Sequence, residues 1–222
     1  MATTLQIRDS VALSLRRAPI IGVVRTASRD EAAAQARSLA ACGVELVEIT
    51  FTVPGASGLV RELLAGRSSE GPPWFGMGTV TTAARAREAV AAGAEFIVTP
   101  NVSAEVAREV RQAGLFLVMG ALTPTEIVSA VEVGADLVKV YPLPPVGGPA
   151  YLSVIRGPLG DVPMLAAGGF GVEEIPAYRQ AGATAFGLAA PLLGVGSGEQ
   201  PARERIQRAI TLARGANPEE KR

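Results

Sequence analysis

The sequence predicts an α/β protein built as one closed (β/α)8 barrel, the TIM-barrel architecture, with an extra helix at the N-terminus. Three observations predict it. Short β-rich apolar runs alternate with Ala-, Arg- and Glu-rich stretches, and 222 residues suit a single large domain spanning 1–222. Several helical stretches close on one signal, "ACGVE", "AAGAE", "QAGLF", "EVGAD" and "QAGAT", in which a glycine ends the helix and the next strand follows within two or three residues. This recurrence is an internal repeat of about 20 to 25 residues, the size of a small βα unit. Eight such strands predict closure.

In chain order, residues 5–17 read as the extra helix, within a segment 1–18 laid across the barrel floor. Strand one is "PIIGVV" (19–24), and the Ala-rich "RDEAAAQARSLAACG" after it reads as a helix. Strand two is "LVEITF" (46–51), where Val47, Ile49 and Phe51 alternate with Glu48 and Thr50. Strand three is "WFGMGTV" (74–80), followed by the helix "TTAARAREAVAAGA". Strands four to eight are "EFIVTP" (95–100), "LFLVMGA" (115–121), "LVKVYP" (137–142), "PMLAAGG" (163–169) and "AFGLAA" (185–190). Residues 199–214 form the last helix and 215–222 a flexible tail. The alternative is an open doubly wound sheet, which usually has fewer strands and a glycine-rich fingerprint after strand one; "GVVRTASRDEA" has none.

Composition removes whole classes of function. Lys plus Arg and Asp plus Glu both number 21, so nothing attracts nucleic acid or anionic lipid in bulk. The first 30 residues carry Arg8, Asp9, Arg16, Arg17, Arg25, Arg29 and Asp30, which fit neither a signal peptide nor a membrane span and predict a cytoplasmic protein. Cys42 is the one cysteine, and histidine is absent, which excludes disulfide frameworks, His-dependent triads and His metal sites. Chemistry is left to Lys, Asp/Glu, Tyr, Cys42 and the backbone.

Only two of the 21 basic residues are lysines, Lys139 and Lys221, and Lys139 lies inside the apolar run "LVKVYP". If Val138 and Val140 face the helices, then Leu137, Lys139 and Tyr141 face the barrel interior. One reading is a lysine that reaches the rim or pairs with a carboxylate. The other is a nucleophile: burial disfavours the charged form of an amine, and a neutral amine attacks ketones and aldehydes. A proton shuttle for it is available in Glu48, inward by the alternation of "LVEITF" and on an even strand like Lys139, so both can feed one barrel layer. A structural ion pair between the two is the competing account. Glu45, Glu95 and Asp136 start strands and belong to the floor.

At the C-terminal strand ends, Thr79 offers a hydroxyl to a carboxylate or is simply a β-branched strand residue. Pro100 and Asn101 close strand four. Gly168 and Gly169 end strand seven, where backbone N–H groups can hold phosphate or merely make a tight turn. Arg25 ends strand one and can meet an anion or stay solvated.

"VEIT", "GMGTV", "IVTPN", "LVKVYP" and "AAGGF", in order and at family spacing between residues 19 and 195, resemble the class I aldolases for 2-keto-3-deoxy-6-phosphogluconate (KDPG) and 4-hydroxy-2-ketoglutarate (KHG). They are also similar to the aldolase for 2-dehydro-3-deoxy-6-phosphogalactonate (KDPGal). The resemblance implies a Schiff base between pyruvate and Lys139, with Glu48 as acid/base. It also implies a pyruvate pocket lined by Thr79, Pro100 and the aromatic Tyr141, phosphate on Gly168 and Gly169, no cofactor or metal, and a homotrimer. Two positions depart from the family pattern. Thr52 stands where gluconate-type members often carry an arginine for the pyruvate carboxylate, leaving that task to Thr79, backbone and Arg25. Ala190 stands where the family tends to have a serine that helps hold phosphate, which favours an unphosphorylated 2-keto-4-hydroxy acid. The rivals are a phosphate-binding barrel isomerase or synthase, and a non-catalytic oligomeric scaffold or sugar-acid binder.

Overall fold

The computed structural model describes residues 4–67 and 71–215. The chain runs α1 (Thr4–Arg17), β1 (Ile20–Val24), α2 (Arg29–Ala41), β2 (Leu46–Thr50), α3 (Ala56–Ala65), β3 (Trp74–Gly78), α4 (Ala83–Ala91), β4 (Phe96–Val98), α5 (Ala104–Gln112), β5 (Phe116–Ala121), α6 (Pro124–Glu132), β6 (Leu137–Val140), α7 (Gly148–Leu159), β7 (Met164–Ala167), α8 (Ile175–Gln180), β8 (Ala185–Ala189) and α9 (Glu199–Arg214). All eight strands are parallel, each pairs with the next, and β8 returns to β1 with Ile21 opposite Gly187, so the barrel is closed and the open-sheet alternative falls. Residue 216 onwards, with Lys221 and all but the first residue of the expected tail, lies outside the described residues. No helix among the described residues is long and apolar enough to cross a membrane.

Local chemistry starts and stops the helices. Ser28, Thr82, Ser103 and Thr123 sit in extended backbone before α2, α4, α5 and α6, and each side chain accepts the N–H three residues on. Gly43, Gly93, Gly114, Gly134 and Gly182, the five glycines of the repeated signal, all have positive φ, from 66° to 102°.

The alternation of side chains divides the apolar residues into two layers. Val47, Ile49, Met77, Ile97, Val138 and Val140 pack outward against the helices. Ile21, Leu46, Trp74, Phe96, Leu137 and Leu165 fill the barrel, and Val11 and Leu15 of α1 plug it from below. Polar contacts fasten that plug. Arg8 pairs with Asp136, Arg17 with Glu45 at 2.6 Å, and the Trp74 indole N–H donates to Ser14 Oγ at 2.9 Å. Glu95 is the buried member of the floor: it meets Arg67 at 2.9 Å and accepts the Phe75 N–H at 2.9 Å. Burial pushes its carboxyl above the usual carboxylate range against both contacts.

Several strands end one or two residues earlier than the apolar pattern suggests. β3 stops at Gly78, β4 at Val98, β6 at Val140 and β7 at Ala167. After β4 and β6, Thr99 and Tyr141 each donate one last main-chain bond, to the Val118 and Ala121 carbonyls, and the chain then leaves the sheet. Thr79 and Gly168 have φ of 60° and 136°, while Pro100 and Pro142 have no N–H to donate. These residues peel away from the sheet and form the barrel mouth, the end where barrel sites are built.

Candidate active site

Lys139 and Glu48 face the same small cavity inside the barrel. It holds about 20 Å³, and its walls include Val23, Val98, Val118 and Ala167. That is room for about one water molecule. Glu48 is 2% exposed and Lys139 9% exposed. One carboxylate oxygen of Glu48, Oε1, is buried without a hydrogen-bond partner. No ion pair among the described residues includes either group. A structural salt bridge is therefore not what holds them there. A buried polar group left unpaired is unfavourable for stability and calls for another explanation. Lys139 Nζ instead lies 5.2 Å from the centre of the Tyr141 ring, within the reach of a cation–π contact. Tyr141 is 37% exposed, just beyond the end of β6.

Glycine makes the space for Glu48. A Cβ on Gly78 would stand 1.8 Å from Glu48 Oε1 and 2.4 Å from its Cδ. Any side chain there must displace the carboxylate, so Gly78→Ala is expected to lower kcat at least tenfold. Steady-state assay on the correctly folded variant checks this, and an unchanged kcat would separate the Glu48 position from the reaction.

Thr79 is the one non-glycine with positive φ among the described residues. A β-branched residue there is a genuine outlier and costs on the order of 1–3 kcal/mol. Arg85 braces it: its guanidinium donates to the Thr79 carbonyl at 3.3 Å and to Thr81 Oγ1 at 3.1 Å, and lies 5.3 Å from the Phe51 ring centre. The Phe51 N–H in turn donates to the Gly78 carbonyl at 2.8 Å. Strain of this kind concentrates at ligand clamps. Above β1 and β2, buried Thr50 gives its single hydroxyl proton to the Val24 carbonyl at 3.1 Å. The 2.7 Å contact between Thr50 and Thr52 hydroxyls must then be donated by Thr52, which is exposed at the mouth. Arg25 is exposed just beyond β1 and has no hydrogen bond or ion pair among the described residues, so its charge is available to an anion.

Around β7 and β8 the picture is mixed. Gly168 is packed tight: a Cβ there would lie 2.7 Å from Pro144 Cδ and 2.9 Å from the Leu143 nitrogen. Gly169 (φ 97°) faces open space. The Gly171 N–H is already taken by Glu174 Oε2 at 2.7 Å, so it is not a spare phosphate donor. Ala190 is fully buried with Leu188 and Leu193 in the outer layer. Its methyl is turned to the helices, and the position facing inward at that end of β8 is Ala189, opposite Val23. The structure thus brings Glu48, Lys139 and Tyr141 together, sets Thr79, Pro100, Thr52, Arg25 and Gly169 around the mouth, and leaves the Ala190 side chain out of it. Gly78, Thr99, Gly120 and Arg85 escaped the reading of the sequence. The two glycines carry a signal that was available, since glycine inside a strand marks close approach of another group. No group of three or more His, Cys, Asp or Glu that could hold a metal occurs among the described residues.

The KDPG and KHG aldolase family model matches residues 11–208. A 2-dehydro-3-deoxy-phosphogluconate aldolase of Treponema pallidum is 30% identical over 165 residues, 74% of this chain and 77% of the relative. A 2-dehydro-3-deoxy-6-phosphogalactonate aldolase of Escherichia coli is 28% identical over 179 residues, 80% of this chain and 86% of the relative. Among solved structures, native KDPGal is similar with a TM-score of 0.78 at 26% identity, covering 89% of this chain and 95% of that one.

Proposed function

The chain belongs to the KDPG and KHG aldolase family, whose named members are lyases, and on that premise we propose that it is a Schiff-base aldolase. The substrate is a 2-keto-3-deoxy-6-phospho sugar acid or 4-hydroxy-2-ketoglutarate, cleaved reversibly to pyruvate and an aldehyde. The observation that carries the reading is the shared cavity of Lys139 and the unpartnered Glu48 carboxylate.

The unprotonated Lys139 amine attacks the C2 ketone and gives a carbinolamine. Glu48, directly or through the one water the cavity can hold, delivers the proton with which hydroxide leaves as water, and an iminium results. The Glu48 carboxylate then takes the proton of the C4 hydroxyl. The C3–C4 bond breaks, its electron pair moves through C3 and C2 to the iminium nitrogen, and the aldehyde departs. The enamine takes a proton at C3, water hydrolyses the iminium, and pyruvate leaves with Lys139 regenerated. The iminium is the electron sink. Thr79, Arg25 and the backbone of the mouth hold the pyruvyl carboxylate, Pro100 and Tyr141 flank it, and Thr52 borders it.

At the far end of the substrate, backbone N–H groups near Gly168 and Gly169 receive a phosphate without a hydroxyl from position 190. One hydrogen bond to a charged group contributes roughly 1.5–3 kcal/mol, about 10- to 150-fold in binding. Both phosphorylated and unphosphorylated substrates are therefore expected to turn over. Coupled detection of pyruvate from KDPG, KDPGal and KHG, with kcat/KM for each, tests this; no pyruvate from any of the three would overturn the reading. The isomerase or synthase alternative does not need Lys139. The protein acts in the cytoplasm, with no nucleic acid or membrane partner. It assembles as a homotrimer, a reading supported by exposed Val128 and Val131 on α6 and Val154 on α7. Light scattering behind a sizing column checks the assembly, and a monomer at micromolar concentration would contradict it.

A further inference from the structure

Thr99 is fully buried and takes no part in the steps above. It follows β4, between Val98, which lines the cavity, and Pro100 at the mouth. Its hydroxyl donates to the Asn101 carbonyl at 2.7 Å and accepts the Gly120 N–H at 3.1 Å. Gly120 stands in register with Lys139 on the neighbouring strand. A Cβ on Gly120 would lie 2.2 Å from the Pro100 carbonyl carbon, 2.4 Å from its oxygen and 2.7 Å from the Asn101 nitrogen. The Pro100–Asn101 peptide therefore lies directly across the face of Gly120, one strand away from the Lys139 stem.

We propose that Thr99 is a positioning residue that latches this peptide in place as a wall of the Lys139 site; the inference rests on the aldolase reading. The chemistry explains why a hydroxyl is needed. The β4–β5 ladder ends with the Thr99 N–H on the Val118 carbonyl, and beyond it the Gly120 N–H turns to the Thr99 hydroxyl while the same hydroxyl ties the turn at Asn101. A hydroxyl serves both partners at once, with one proton for the Asn101 carbonyl and a lone pair for the Gly120 N–H. Removing it leaves the buried Gly120 N–H without its acceptor and the Asn101 carbonyl without its tie, and the turn must shift to recover a partner. A displacement of about 1 Å beside reacting atoms can lower rate about 100-fold.

Thr99→Val keeps shape and removes only the hydroxyl. We expect kcat for aldol cleavage to fall about 10- to 100-fold with KM changed less than threefold. The single-turnover rate of pyruvate imine formation, trapped by borohydride well below the melting temperature, should fall in parallel. Thr99→Ser should recover most of both rates. Thr99→Ala is the second probe should the valine variant not fold, with the same expected loss. Wild-type rates in Thr99→Val or Thr99→Ala, or equal losses in Thr99→Ser and Thr99→Val, would overturn the latch while leaving the aldolase reading intact. A wild-type chain that traps no pyruvate would overturn both.

Discussion

Lys139→Arg is expected to give a folded barrel with no measurable aldol cleavage, a loss of at least about 10⁴-fold. The substitution keeps a positive charge and much of the stem. A guanidinium stays protonated at every usable pH and cannot add to a ketone, so no carbinolamine forms. The step removed is the first one, and nothing else in the cavity can replace it: the remaining walls named above are aliphatic apart from Glu48. The other lysine, Lys221, stands next to the last residue of the chain. Pyruvate release followed by a coupled assay, with a thermal melt of the same sample, checks the outcome. Activity above 1% of wild type in a folded variant would move the nucleophile elsewhere.

Glu48→Gln is expected to lower kcat by about 10²- to 10⁴-fold, the range for lost general acid–base help. The direction of its effect on stability is as informative. In the native chain a carboxylate oxygen is buried with no hydrogen-bond partner. An amide of the same shape is less costly to bury than a carboxylate, so the melting temperature should hold or rise while turnover falls. That opposition is what a site selected for chemistry rather than stability shows. A lower melting temperature with unchanged kcat would mean that Glu48 serves the barrel's packing.

Much of this was legible in the sequence because barrels obey simple periodicities. The repeated helix-ending glycines and the alternation within "LVEITF" and "LVKVYP" carried the strand count, the closed sheet and the inward phase of Glu48 and Lys139. The lone central lysine drew attention for a plain reason: a charged group in an apolar run needs a purpose. What stayed hidden depends on contacts between strands rather than along them. The Thr99 hydroxyl meets Gly120, 21 residues away, and nothing local distinguishes it from any strand threonine. The left-handed backbone of Thr79 is imposed by the turn from β3 towards α4, and Arg85 is recognisable as its brace only when Phe51 and the Thr79 carbonyl are seen together. Position 190 shows the limit of counting along a strand end: one residue separates an alanine facing the mouth from one packed against the helices.

The central claim is that Lys139 forms an imine with a 2-keto acid, and borohydride reduction in the presence of pyruvate tests it most directly. Intact mass and peptide mapping should find one reduced pyruvyl group per chain, on the peptide containing Lys139, and none in Lys139→Arg. No adduct, or an adduct on Lys221 or the N-terminal amine alone, would contradict it.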